Sequence, residues 1–291
     1  MKFNTNDLGY KLLSGKLKQS RKHSEQLNKF LAGLFDADGN VHLQHRDLVS
    51  GGSYVVLSSS ISQSESNDPK GEMLKALRDY YDLGVIRFRK TDESRTDRYI
   101  WELSTKHSKM LFNRIGKHLY IKHHIFQDFI DVHEYWKDIN KDALSILRKV
   151  SRESSCGRAR LRKHISTAYL AGLIAGDGYV RAVFGRDRWS KKQHKMYKIN
   201  EIVLVIELHQ MDVKVLEQIR TDWKGGLHTN NRGTVVWRLP LGKGNKSKAL
   251  QLIPKLIQYM CLEKKYEKLI EIREFHKQVA ETKQVSPDKG K

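Results

Sequence analysis

A chain of 291 residues, 39% of them hydrophobic, has room for about two domains and is too apolar for a disordered polymer. Lys and Arg number 54 against 33 Asp and Glu, a formal charge of +21 that favours polyanions, nucleic acid first, through phosphate contacts and counterion release. Two cysteines, Cys156 and Cys261, cannot build a disulfide framework or a four-cysteine zinc site, and no apolar run approaches the ~20 residues of a membrane span.

Residues 1–23 read as a basic N-terminal extension without the apolar core of a secretory signal, and the compartment stays open. Phe30-Leu-Ala-Gly-Leu-Phe-Asp-Ala-Asp-Gly-Asn-Val41 follows as a helix running into a strand. A second strand covers Ser53 to Gln63, and Gly71 to Tyr81 has a helical pattern. Gly84 opens a hairpin whose closing strand includes Tyr99-Ile-Trp101-Glu-Leu103, and helical sequence runs from Ser108 to Val132. The polar stretch 140–163 reads as a connection.

The order then recurs. Tyr169-Leu-Ala-Gly-Leu-Ile-Ala-Gly-Asp-Gly-Tyr-Val180 matches the first motif at a constant offset of 139. Glu201 to Gln210 supplies the strand ending in Gln, Val213 to Trp223 the helix, Gly225-Gly226 the turn, Val235 to Leu239 the closing strand, and Lys246 to Lys277 the last helices. The expected architecture is α+β: two tandem αββαββα units, at residues 24–139 and 164–281, with a flexible tail over 282–291.

Gly33 and Ala37 lie four apart on one helix face, as do Gly172 and Gly176, so the two motif helices are expected to pack closely against each other. Asp38 and Asp177 occupy the same place in each copy, before a glycine expected to close the helix in the left-handed conformation. Two carboxylates at adjoining helix C-termini oppose both the helix dipole and each other, and a divalent cation with hard oxygen ligands removes both penalties. Asp36 has Ala175 as its counterpart, which excludes it from any role needed in both halves.

Leu31-Ala-Gly-Leu-Phe-Asp-Ala-Asp-Gly39 and Leu170-Ala-Gly-Leu-Ile-Ala-Gly-Asp-Gly178 resemble the nonapeptide of the LAGLIDADG homing endonucleases. The likeness extends from about Ser24 to about Gln278 and fits the single-chain, two-repeat branch. It implies two antiparallel four-stranded sheets forming a DNA-binding saddle around two central packed helices. It also implies an intron-encoded monomer that makes a metal-dependent double-strand cut, with short 3′ overhangs, at a long non-palindromic site.

In such enzymes the last acids of the motifs, here Asp38 and Asp177, bind Mg²⁺ (or Mn²⁺) at the scissile phosphates; the backbone contribution at position 37 stays open. Gln63 and Gln210 match the polar residues near each metal. Lys265 matches the basic residue, with Lys122 its first-half counterpart and His123 and His124 as alternatives. DNA readers fall on alternating strand positions: His42, Gln44, Arg46, Tyr54, Ser58, Ser60, Arg87, Arg89 and Arg98, then Arg181, Glu207, Thr229, Asn231 and Arg238. The basic excursion from Arg186 to Lys198 is expected to track the backbone. The same scaffold also carries splicing maturases that bind intron RNA and could carry a non-cleaving DNA-binding regulator; retention of both acids favours cleavage. No G-x-x-x-x-G-K-[ST] loop occurs, which argues against nucleotide triphosphate use.

Overall fold

The computed structural model describes residues 4–17, 20–90, 96–136, 139–155, 164–190, 195–209, 212–229, 234–240 and 246–284. The first half comprises α1 (Leu8–Leu13), α2 (Arg21–Asp38), β1 (Gly39–Asp47), β2 (Ser53–Ser64), α3 (Glu72–Tyr81), β3 (Val85–Arg89), β4 (Arg98–Leu103), α4 (Thr105–Ile115), α5 (His123–Tyr135) and α6 (Lys141–Ser155). The second comprises α7 (Thr167–Asp177), β5 (Gly178–Ser190), β6 (Lys195–His209), α8 (Val213–Trp223), β7 (Gly226–Thr229), β8 (Thr234–Pro240), α9 (Lys246–Tyr259) and α10 (Glu263–Gln284). Both sheets are four-stranded and antiparallel, in the orders β1-β2-β4-β3 and β5-β6-β8-β7.

α2 and α7 form the central pair, and each is capped by a serine at its start, Ser20 and Ser166, whose hydroxyl accepts from the backbone N–H three residues on. From Ala168 to Ala175 every residue of α7 is buried, as expected of a helix that is apolar all round. The approach is set by reciprocal glycines. A Cβ at Gly33 would strike the Tyr169 carbonyl oxygen, and a Cβ at Gly172 would strike that of Phe30. Since 30 and 33 map onto 169 and 172 at the repeat offset, this reciprocity is that of a two-fold axis between the helices.

Gly39 and Gly178 correct one expectation. They are extended, at φ −73°, ψ 148° and φ −99°, ψ 161°, so each motif helix passes straight into its strand. Glycine is needed there for space: a Cβ at 39 would strike the Phe35 carbonyl oxygen, and one at 178 would come within 2.6 Å of the Ile174 Cα. Left-handed glycine stands instead before β3 and β7, at Gly84 (φ +72°) and Gly225 (φ +98°). Beside these turns Trp101 Nε1 donates to the Leu83 carbonyl (2.6 Å) and Trp237 Nε1 to that of Lys224 (2.7 Å), a duplicated lock between sheet and helix.

Two helices were not legible as such. α1, within the N-terminal extension, packs on α3 of the first half and α9 of the second. α6 lies in the stretch read as a polar connection; it buries Leu144, and its Arg148 guanidinium donates to the Leu43 carbonyl on edge strand β1. The remainder of that stretch, with Cys156, lies outside the described residues, as does the tail from 285; Cys261 is buried. β5 and β6 extend into the basic excursion, of which 191–194 lie outside the described residues. No helix among the described residues is long and apolar enough to cross a membrane.

Candidate active site and nucleic-acid interface

The adjoining C-termini of α2 and α7 deliver the two acids. Asp38 is half-buried and Asp177 exposed, and the amide of buried Gln63, on β2, donates to Asp38 Oδ2. Burial and the nearby Asp177 charge push the Asp38 carboxyl up to about 6, against the pull of Lys122, Lys265 and Gln63. A Cβ at Gly176 would meet Ala37 and lie 2.8 Å from Asp38 Oδ2, so that glycine keeps room for the carboxylate. Gln210 lies outside the described residues.

Each motif helix ends on a lysine ammonium. Lys122 Nζ donates to the carbonyls of Phe35 (3.1 Å), Ala37 (2.9 Å) and Gly39 (2.7 Å). Lys265 Nζ donates to those of Ile174 (2.7 Å), Ala175 (2.6 Å), Gly176 (3.3 Å) and Gly178 (2.7 Å). Three of these carbonyls correspond at the repeat offset, so Lys122 and Lys265 are geometric counterparts, while the His123 ring packs on Phe112 and His124. A cation at a helix C-terminus satisfies orphan carbonyls and offsets the dipole that disfavours the neighbouring acid. Burial lowers both lysines, Lys265 to about 8, while carboxylates pull them back, Asp36 most strongly for Lys122.

Asp36, which has no acidic counterpart in the second half, is held by four hydrogen bonds beside the centre. Buried at 3% exposure, it accepts from the backbone N–H of Tyr120 (2.7 Å), Ile121 (3.1 Å) and Lys122 (2.8 Å) and from the Tyr169 hydroxyl (2.7 Å). Burial holds its carboxyl above the usual carboxylate range, against the downward pull of these four donors. The signal available in the sequence was an acid on an otherwise apolar helix face, which must find donors when buried.

Among the described residues no three His, Cys, Asp or Glu side chains converge on one point. Two carboxylates beside helix-end carbonyls are an oxygen-only, incomplete donor set. Such a set fits Mg²⁺, which keeps open positions for water and substrate phosphate, and does not fit zinc.

The first sheet offers the candidate interface. Strand register places His42, Gln44 and Arg46 of β1, Tyr54, Ser58 and Ser60 of β2, Arg98 of β4, and Arg87 and Arg89 of β3 on a single face, opposite Val41, Leu43, Leu57, Ile61 and Trp101 of the core. That face forms a trough of about 1020 Å³, and an adjoining hollow of about 570 Å³ reaches Asp38 past Asn40, Ser60, Arg89 and Arg98. Val56, Val85, Ile100 and Glu102 line the trough too, and Glu102 pairs with Arg87 at 2.9 Å. Strand alternation, which sets them on the same face as the polar residues, is the sequence signal for all four.

The second sheet bears fewer of the expected readers. Arg238 is exposed and pairs in register with Val205, off the core face of Trp237 and Leu239. Arg181 pairs with Val203 and Glu207 with Val236 in register, but their side chains lie outside the described residues, as does all of Asn231. Thr229 is placed differently from expectation. It pairs with Val235, a core residue, so it shares the helix-packed face, and His228, opposite Val236, takes the other.

Fold and site together define a single-chain, internally two-fold α+β protein with paired acids at the centre of a basic, strand-lined surface. Residues 170–276 match the family model described as LAGLIDADG endonuclease. The crystal structure of the I-SmaMI LAGLIDADG homing endonuclease bound to cleaved DNA is similar at TM-score 0.63 and 18% identity, over 89% of this chain and 92% of that one. I-SmaMI bound to an uncleaved DNA target with calcium ions is similar at TM-score 0.62 and 18% identity, over 89% and 94%. The I-LtrWI LAGLIDADG homing endonuclease bound to target DNA is similar at TM-score 0.62 and 17% identity, over 88% and 92%. No curated protein sequence matches the chain. The second repeat thus matches the LAGLIDADG endonuclease model, and nearly the whole chain has the fold of the single-chain, two-domain LAGLIDADG homing endonucleases.

Proposed function

We propose that the chain is a monomeric homing endonuclease that makes a metal-dependent double-strand cut, with short 3′ overhangs, at a long, non-palindromic DNA site. The observation that carries this reading is the pairing of Asp38 and Asp177 at adjoining helix ends, each end neutralised by its own lysine. Asp38 and Asp177 would hold Mg²⁺ or Mn²⁺, which supplies charge neutralisation at the phosphoryl oxygens and activation of water. Gln63 fixes the Asp38 carboxylate, and Lys122 and Lys265 place positive charge beside acids that otherwise repel each other and the phosphates.

The strands carry site selection. β1 leaves the centre directly at Gly39, and its nine residues span ~30 Å, about nine base pairs of duplex. His42, Gln44 and Arg46 then meet successive major-groove steps, with Arg suited to guanine and Gln to adenine. Equivalent positions differ between halves, Ser60 against Glu207 and Glu102 against Arg238, which supports a non-palindromic target.

The test is cleavage of a randomised duplex library in Mg²⁺ by the wild type, Asp38→Asn and Asp177→Asn. The expected result is one long enriched site, cut by the wild type and nicked or left intact by each variant. Tight, salt-sensitive binding of DNA or structured RNA without cleavage would instead establish a regulator or an intron-RNA maturase.

A further inference from the structure

We infer that Asp36 is a positioning residue for Lys122, so that the first-half centre depends on a carboxylate clamp, joined by Tyr169 of the second half, that has no equivalent among the described residues of the second-half centre. The inference rests on the proposed catalytic part of Lys122. Its geometry is closed at both ends of that residue. Asp36 Oδ1 receives the Lys122 backbone N–H at 2.8 Å, and Oδ2 receives those of Tyr120 and Ile121 at 2.7 and 3.1 Å. Three successive amides of the segment entering α5 are thereby tied to the last turns of α2. The Lys122 tip returns to the same turns, to the carbonyls of residues 35, 37 and 39 that bracket Asp36 and Asp38.

The fourth donor, the Tyr169 hydroxyl at 2.7 Å, comes from α7. The Tyr120 ring packs tilted against that of Tyr169 with centroids 4.5 Å apart, so the segment carrying Lys122 is braced by both halves. All four partners donate, so both carboxyl oxygens of Asp36 serve as acceptors for this segment and for α7. In the second half Ala175 occupies the corresponding place and offers no acceptor beyond its backbone, yet Lys265 still reaches the helix-end carbonyls. Asp36 is therefore not a duplicated metal ligand; it is an added support on one side only.

The experiment follows each strand of a duplex target separately, labelled at its own 5′ end, for the wild type, Asp36→Asn and Tyr169→Phe, alongside DNA affinity and thermal melting. Asp36→Asn should slow one strand's cut by about 10–100-fold, leave the other near the wild-type rate, accumulate nicked product and keep DNA affinity. Tyr169→Phe, which leaves the three amides in place, should shift the same strand by only a few-fold and keeps the test valid if Asp36→Asn folds poorly. In parallel, amine acetylation read by mass spectrometry should show Lys122, and not Lys265, gaining reactivity in both variants. Equal slowing of both strands, or unchanged Lys122 reactivity in folded variants, would overturn the inference. A wild type that cuts neither strand counts against the nuclease reading alone, because the acetylation pattern still decides whether Asp36 positions Lys122.

Discussion

The two halves reach one arrangement from different supports. In the first, the segment bearing Lys122 is held by Asp36, an acid of the motif helix itself. In the second, where Ala175 stands in that place, the residue after the lysine, Tyr266, is held from the far end of the chain: its hydroxyl accepts from the Asn4 backbone N–H (2.9 Å) and donates to Asp7 (2.8 Å). What stays the same is what touches the centre: the last acid, the helix-end carbonyls, the lysine and the reciprocal glycines. What differs lies one bond further out. Close packing and charge neutralisation admit few solutions, whereas a buried hydrogen-bond partner can be supplied from any element that comes within reach.

The shared part of the comparison should be the least tolerant of change. Gly33→Ala and Gly172→Ala each drive a methyl group into a backbone carbonyl of the opposite helix, which a side-chain rotation cannot relieve. Alanine raises helix propensity by about 1 kcal/mol, but overpacking costs about 1–3 kcal/mol and occasionally more, at the upper end where the clash is with backbone, so both variants should lose stability. Chemical denaturation should show losses of similar size for the pair. A large loss for one and none for the other would break the two-fold reading of the interface.

The shared features were also the legible ones. Duplicated nonapeptides, small residues four apart and strand alternation carry the helix pair, the order of elements and the single face shared by the nine residues expected to read DNA in the first half. The supports were hidden because their partners are remote. Asp36 bonds to residues 84 to 86 positions away, and Tyr266 to residues 259 and 262 positions away, separations on which helical and strand periodicities are silent. Asp36 is hidden for a second reason: a role confined to one half leaves no duplicate in the repeat. A glycine after a helix most often signals a left-handed stop, whereas the constraint at Gly39 is the Phe35 carbonyl beside it.

The paired acids should make the apo protein pay for its own charge. For Asp38 the folded carboxyl, at about 6, lies above the ordinary 3.8, so between these values the folded state binds more protons than the unfolded one. Stability must then fall as pH rises through that window and stay lowered at neutral pH. Without divalent cation, Asp38→Asn should be more stable than wild type at pH 7, by roughly 2–3 kcal/mol, and the gain should vanish below pH 4. Mg²⁺ should stabilise the wild type in melting curves, less so as pH drops below about 6, where protons compete for the carboxylate. A variant equal to wild type at both pH values would show that Asp38 carries no such strain.

The smallest expected effect sharpens the contrast most. Tyr266→Phe removes one hydroxyl, leaving the buried Asp7 carboxylate without that donor and the Asn4 amide without that acceptor; a lost bond of this kind costs about 1–3 kcal/mol. Because α1 also packs on α3 and α9, the N-terminal segment should remain largely in place, and the loss should be local to α10. With strand-resolved cleavage, Tyr266→Phe should slow the strand that Asp36→Asn spares, by a smaller factor. Lys265 is held by four carbonyls of α7 and its exit, so displacement of Tyr266 can loosen its backbone but not detach its tip. The two substitutions should therefore act on opposite strands and add in the double variant, as independent supports do. Slowing of the same strand by both would mean that the N-terminal segment supports the protein as a whole rather than the second centre.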